Sequence, residues 1–169
     1  MPITGLDPKS ALVAAFRAKK LPVALVRVGW SPDYGDALKT RVQAPPPAAT
    51  IPPGFSDYVD ALQADPARDI LITKRQWGAF YGTELDLQLR RRGVTNIVLC
   101  GIATSIGVES TARDAYERAY NITFAADAMT DVNGGAHDRA LHIIFPRIGE
   151  VGTTAEILAH IRVQEEEAS

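Results

Sequence analysis

The stretch Cys100-Gly-Ile-Ala-Thr-Ser-Ile-Gly107-Val-Glu-Ser-Thr joins an apolar strand-like run to a helix-like run through a turn of small residues, with the chain's single cysteine on the strand side. A thiol beside a helix start is a layout suited to covalent catalysis. The amides near Gly107 would sit at the positive end of the following helix and could hold a carboxylate or a developing oxyanion whatever side chain is present. The plainer reading is a tight turn that needs glycine. Cys100 itself, among Val98, Leu99 and Gly101, fits an inert core thiol better than a nucleophile. Lys74 is the second candidate. Ile70-Leu-Ile-Thr-Lys74 puts an ammonium at the end of a strand, with Trp77, Phe80 and Tyr81 just beyond. An apolar surround would lower its pKa and suit it to proton transfer or charge stabilisation. A solvated lysine closing a strand is the competing reading, and the aromatics serve equally as core or interface.

The other titratable residues point to less. His137 and His142 lie about 140° apart around a helix, too far for a shared metal, so no metal site is expected. Asp127 and Asp131 follow a strand, where acidic residues commonly cap the next helix. No phosphate loop, dinucleotide fingerprint, serine elbow or paired-cysteine motif occurs, so no cofactor is implied.

The elements that must position these groups follow from periodicity and punctuation. Asp7-Pro8 reads as a cap and first helical position for a helix over residues 8 to 20. Residues 23 to 28 form a β-branched run short enough for a strand buried on both faces. Residues 30 to 54 carry six prolines and read as an extended surface loop. Beyond it, helices are expected at 55 to 63, 83 to 92, 105 to 119, 135 to 145 and 154 to 164, with strands at 69 to 74, 96 to 102 and 122 to 126. Val108, Ala112, Ala115 and Ala119 would be the buried face of the fourth helix. Such alternation implies right-handed crossovers, a parallel sheet and helices on both of its faces. Ligands in these folds bind beyond the carboxyl ends of the strands, which singles out residues 29 to 30, 74 to 77, 102 to 107 and 127 to 130.

With 169 residues and 46% hydrophobic content, residues 1 to 169 suit a single domain ending in an acidic tail at 165 to 169. A net charge of -2 with interleaved signs lacks the footprint of a nucleic-acid binder. No apolar run reaches the roughly 18 residues of a membrane span, and the opening residues do not resemble a signal peptide, so a cytoplasmic location is expected.

Two long segments carry a resemblance. Thr73-Lys-Arg-Gln-Trp-Gly-Ala-Phe-Tyr-Gly-Thr-Glu-Leu, and Gly93 through Tyr116 with its Cys-Gly-Ile-Ala-Thr-Ser-Ile-Gly-Val-Glu-Ser-Thr core, are similar to the isochorismatase-like (cysteine hydrolase) family. Similarity continues at Asp127-Ala-Met-Thr-Asp131, Ala136-His137, Ile144-Phe-Pro-Arg147 and Gly152-Thr-Thr154, so it covers roughly residues 69 to 158. The resemblance implies a Rossmann-like three-layer α/β/α fold with a mostly parallel sheet, assembly as a homo-oligomer (dimer or tetramer), and a small-molecule substrate. Many such proteins hydrolyse amides through an aspartate, a lysine and a cysteine. Carried over, the lysine is Lys74. The oxyanion turn is Ile102 to Gly107, with a non-proline cis peptide at Ile102-Ala103. The family's cysteine position falls on Gly107, not on Cys100. Amide hydrolysis through a thioester is therefore disfavoured, and the resemblance shifts to the branch that cleaves a vinyl ether with an aspartate as acid/base.

That aspartate belongs to an Asp-x-Gln motif at the end of the family's first strand. Here Ser10-Ala-Leu-Val13 begins like that strand but is followed at once by Ala14-Ala-Phe-Arg-Ala-Lys-Lys20. A parallel crossover needs a dozen residues or more, so the usual first strand, its aspartate and most of the following helix are expected to be missing. Asp7, placed before that strand, would lie at the opposite end of the sheet. Absence of the first strand would leave a gap between the strands at 23 to 28 and 96 to 102, so either residues 10 to 16 fill that place as a strand, or this chain omits residues of the whole protein between Val13 and Ala14. Two functions remain in view. The first is a hydrolase of a small carboxylate, amide or vinyl-ether substrate, held by Lys74, Trp77, Tyr81 and the turn at Ile102, Ala103 and Gly107. The second is an inactive relative that keeps the pocket for ligand binding or the surface for assembly.

Overall fold

The computed structural model describes residues 7–44 and 51–166, with side chains as far as residue 161. Helix α1 (Pro8–Ala18) starts where the sequence marks it: Asp7 accepts hydrogen bonds from the amides of Lys9 and Ser10 at 3.1 and 3.3 Å, and Pro8 occupies the first turn. It stops just short of Leu21-Pro22, with Lys20 in the left-handed region at φ 56°. Residues 10–16 are therefore helical and do not serve as a strand. Strand β1 (Ala24–Val28) pairs in parallel with β2 (Ile70–Lys74), whose register runs from Ala24 opposite Ile70 to Val28 opposite Lys74. Between them, residues 29–44 and 51–59 hold no helix or strand, and 45–50 of the expected loop lie outside the described residues. The helix expected at 55 to 63 is only a 3-10 turn, Asp60–Leu62. The prolines at 52 and 53 and Gly54 leave its first half without a helical run to propagate.

Helix α2 (Leu85–Arg91) and strand β3 (Asn96–Ile102) follow, then a π-helical turn at Thr104–Val108 that runs into α3 (Glu109–Glu117). Strand β4 (Asn121–Thr130) is longer than expected, because the apolar pattern continues through Ala128 and Met129 past Asp127. Asp127 thus lies within β4 and caps a different helix from the one next in sequence. Its carboxylate accepts from the amide and hydroxyl of Thr154 at 2.7 and 2.8 Å, at the start of α5 (Thr154–Glu166). Asn133 caps α4 (Gly134–Arg139) instead. The chain then passes through a π turn at Ala140–Ile144 and a 3-10 turn at Phe145–Arg147 to β5 (Glu150–Gly152), a strand too short to read in the sequence. Of the acidic tail at 165–169, only the backbone of 165–166 is described, as the end of α5.

Helices cover both faces of the parallel strands. Phe80, Leu85, Leu89, Val108, Ala112 and Ala115 pack with Ile70, Ile72 and Phe124 on one face, and Leu12 and Ile157 pack with Ala125 and Ala128 on the other. Phe124 and Phe145, both fully buried, stack with ring centroids 3.9 Å apart. Gly149 permits this packing, since a Cβ there would stand 2.4 Å from the Ile122 carbonyl oxygen. Ala119, expected on the buried face of α3, is exposed at positive φ beyond the helix end, and Tyr120 takes the buried place. The strands fall into two sheets, β1-β2 and β3-β4-β5, and among the described residues no strand joins β1 to β3. Helix α1 packs across from β4 and α5 to the other sheet, where Arg17 grips Asp69 with two bonds of 3.0 and 2.6 Å just before β2.

Candidate active site

Strand alternation aims Lys74. Ile70, Ile72 and Lys74 share one face of β2 and are all buried, so the lysine stem extends an apolar row and its ammonium ends in a dry place. With 9% of its surface exposed, Lys74 is no solvated strand-end lysine. Burial lowers its pKa below the ordinary lysine value. Its Nζ donates to the carbonyl of Trp77. No carboxylate is within ion-pair distance of it among the described residues.

Opposite stands the turn after β3. The Ile102-Ala103 peptide is cis, as the resemblance implied, and leads into the π turn. A Cβ at Gly107 would lie 3.3 Å from Lys74 Nζ, 3.6 Å from the Trp77 carbonyl oxygen and 3.7 Å from that of Ile102. Position 107 therefore faces the ammonium directly, with no side chain between them. The Gly107 carbonyl accepts from Thr111 Oγ at 2.7 Å, and the same Oγ accepts from the Ala79 amide at 3.1 Å, tying the turn to the segment after β2. Three amides of the turn are already engaged: Ile106 and Val108 with the Ala103 carbonyl, and Ser105 with Asp131 Oδ2.

Asp131 and His137 are the residues that sequence reasoning did not attach to this turn. Asp131 Oδ2 accepts from the Ser105 amide and hydroxyl, both at 2.7 Å, and Oδ1 accepts from the Asn133 amide at 3.0 Å. Desolvation opposes ionisation of this carboxyl, but the bonds from Ser105 and Asn133 outweigh it and hold its pKa below the usual value. Thr104, fully buried, contacts His137 Nδ1 at 2.9 Å and the Thr130 carbonyl at 3.1 Å through its hydroxyl. The signal was the pair Thr104-Ser105 beside a strand whose parallel neighbour ends in Thr130-Asp131.

The remaining candidates are dispersed around this centre. Trp77 and Tyr81 expose 65% and 73% of their surface, and Phe80 is a core residue against Tyr120. Ile102 is 65% exposed at the end of β3. Cys100 packs between the two apolar clusters, and burial raises its thiol pKa, which is the state of an inert thiol. Asp7 is the N-cap of α1, where its carboxylate accepts from the amides of Lys9 and Ser10 and from the Ser10 hydroxyl. Engaged there, it forms no pair with Lys74. Among the described residues no cluster of three or more His, Cys, Asp or Glu side chains could hold a metal, and no helix is long and apolar enough to cross a membrane.

Comparison with known proteins bears on this arrangement. The family model described as "Isochorismatase domain" matches residues 7–156. An uncharacterized isochorismatase family protein of Escherichia coli O157:H7, YecD, is 54% identical over 147 residues, which span 87% of this chain and 78% of the relative. A ureidoacrylate amidohydrolase of Methylobacterium radiotolerans, RutB, is 42% identical over 147 residues, covering 75% of this chain and 56% of the relative. Among solved structures, an isochorismatase family protein from Burkholderia thailandensis superposes with a TM-score of 0.86 at 48% identity, covering 96% of this chain and 86% of that one.

Proposed function

The chain belongs to the isochorismatase family of hydrolases, and from that premise we propose that it hydrolyses a small carboxylate, amide or vinyl-ether substrate without a cysteine nucleophile. The observation that carries this reading is that Lys74 Nζ stands 3.3 Å from the place a Cβ would take at Gly107. A buried ammonium and a turn following a strand end converge on one point, and that point is left empty of side chain by glycine. A substrate carboxylate or a carbonyl oxygen gaining charge would meet the ammonium there, in surroundings dry enough to make the attraction strong. Because Ser105, Ile106 and Val108 spend their amides inside the protein, the anion would be held mainly by Lys74 and the Gly107 side of the turn. Trp77 and Tyr81, beyond the same strand, would form the apolar wall of the entrance. With Gly107 in place of a thiol there is no side chain to form an acyl-enzyme, so hydrolysis would place the hydroxyl of water on the electrophilic carbon, break its bond to the leaving nitrogen or oxygen, and pass the water's proton to that leaving atom.

The acid/base is the part these residues do not supply. No carboxylate pairs with Lys74 among the described residues, and this observation favours a second reading, in which the pocket binds its ligand without turning it over. One experiment separates the two. The purified chain is assayed against isochorismate, nicotinamide, ureidoacrylate and a panel of simple amides, alongside Lys74→Ala and Cys100→Ala. Under the hydrolase reading at least one compound turns over, Lys74→Ala removes most of that turnover, and Cys100→Ala leaves it nearly unchanged. Absence of turnover across the panel, with retained binding of a substrate carboxylate, would establish the second reading. Strong loss from Cys100→Ala would overturn the assignment of position 107.

A further inference from the structure

We propose that His137 is a positioning residue for the turn at Thr104–Val108, fixed as the tautomer with its proton on Nδ1. The Thr104 hydroxyl has one hydrogen to donate. Thr104 Oγ lies 3.1 Å from the Thr130 carbonyl oxygen and 2.9 Å from His137 Nδ1. A carbonyl oxygen only accepts, so the hydroxyl hydrogen must go to Thr130. The Thr104 oxygen is then an acceptor toward the ring, and Nδ1 must carry a proton. Reversing the ring contact would leave two oxygens 3.1 Å apart with no hydrogen between them, one of them on the fully buried Thr104 side chain.

This chain of bonds reaches across three elements. His137 sits on α4, Thr130 ends β4, and Thr104 is the first residue of the π turn after β3. Asp131 clamps the next residue, Ser105, through amide and hydroxyl together. The turn is thus pinned at two consecutive residues from the far side, while Gly107 on its near side faces Lys74. His137 touches neither Lys74 nor position 107 in any described bond; it acts on the site through Thr104. This inference rests on the proposed role of the turn as the anion-holding side of the site.

Long-range nitrogen-proton correlation spectra of protein with labelled histidine, recorded at mildly alkaline pH, report the tautomer directly, with the His137 signals identified by their loss in His137→Asn. A protonated Nδ1 is expected, whereas a free imidazole favours Nε2-H; finding the proton on Nε2 would overturn the inference. Amide exchange then measures the positioning. Exchange at residues 105 to 108 should quicken about five- to tenfold in Thr104→Val and in His137→Leu, the worth of one hydrogen bond, with β4 amides unchanged. His137→Asn, whose side-chain amide places an N-H near the Nδ1 site, and Thr104→Ser should restore slow exchange. Uniform loss of protection, or no rescue by Asn and Ser, would reduce His137 to an ordinary packing residue. Where a panel compound turns over, kcat should follow the same order with KM moving less. An Nδ1-H tautomer with rescued exchange but no turnover in the unsubstituted chain would count against the hydrolase reading alone.

Discussion

At the scale of single residues, the informative pair is Lys74 and Gly107. A lysine whose pKa is lowered by burial is protonated in the unfolded chain over a pH range where the folded chain has already released its proton. The unfolded state then binds more protons, so this group makes stability rise with pH between the lowered folded value and the ordinary lysine value. Below the folded value it costs stability. Replacement by methionine should therefore flatten the alkaline limb of a stability-pH curve while abolishing any turnover, which denaturant titration at a series of pH values measures directly. Gly107 offers a complementary test. In Gly107→Cys the new sulfur would stand beside the Lys74 ammonium, which favours thiolate, whereas Cys100 is half-buried among apolar side chains and desolvation raises its pKa. Alkylation of Gly107→Cys by iodoacetamide near neutral pH should exceed that of the unsubstituted chain at least several-fold. Equal rates would mean that position 107 does not face the ammonium. The Gly107→Cys expectation follows from a contact between residues 33 positions apart, which no local pattern in the sequence specifies.

At the scale of elements, α1 is held to the β1-β2 sheet by the Arg17-Asp69 pair. The Asp69 side chain is fully buried and that of Arg17 half-buried. Burial opposes the charge of Asp69, but the Arg17 guanidinium and the Asp65 amide more than compensate, and its pKa is lowered. Truncating Arg17 to alanine leaves a buried carboxylate with weaker partners and should cost about 3 kcal/mol in equilibrium unfolding. The sign of its pH dependence is fixed: this stabilisation is present above the ordinary aspartate value and is lost as pH falls through the lowered folded value. Acid unfolding of Arg17→Ala should accordingly begin at higher pH than that of the unsubstituted chain. The same scale shows where helix signals misled. Residues 55 to 63 have helix-compatible composition without a stable first turn. The helix read from residue 105 begins through a π turn at Thr104–Val108 and the one read from residue 135 ends in a π turn at Ala140–Ile144, and Asp131 holds the first of these at Ser105.

For the whole molecule, the consequence of two separate sheets is an alternation of protected and unprotected amides. The bonds from Ile70 to Val23 and from Gly29 to Lys74 turn Leu25 and Arg27 toward β2, leaving Ala24, Val26 and Val28 to face the side where no described strand pairs. Val26 is also 39% exposed. Amide exchange should be faster at 24, 26 and 28 than at 25 and 27, and likewise faster at 96 and 98 than at 97 and 99, because the Asn121 bond to Thr95 turns the odd residues of β3 toward β4. Uniform protection along both strands would show that their outer edges are covered. Sequence alone determined the order of helices and strands in most of the chain, the parallel arrangement, the family, and the candidacy of Lys74 and of the turn at Gly107. These are encoded locally, in apolar periods of two and of three to four, in caps such as Asp7-Pro8, and in contiguous motifs. Tertiary structure decided that Lys74 is buried and aimed at position 107, that Asp131 and Thr104-His137 pin the turn, and that the strands divide into two sheets. Each of these joins residues distant in the chain, through charges, single hydrogen bonds and edge pairings whose energies depend on where folding places the partners.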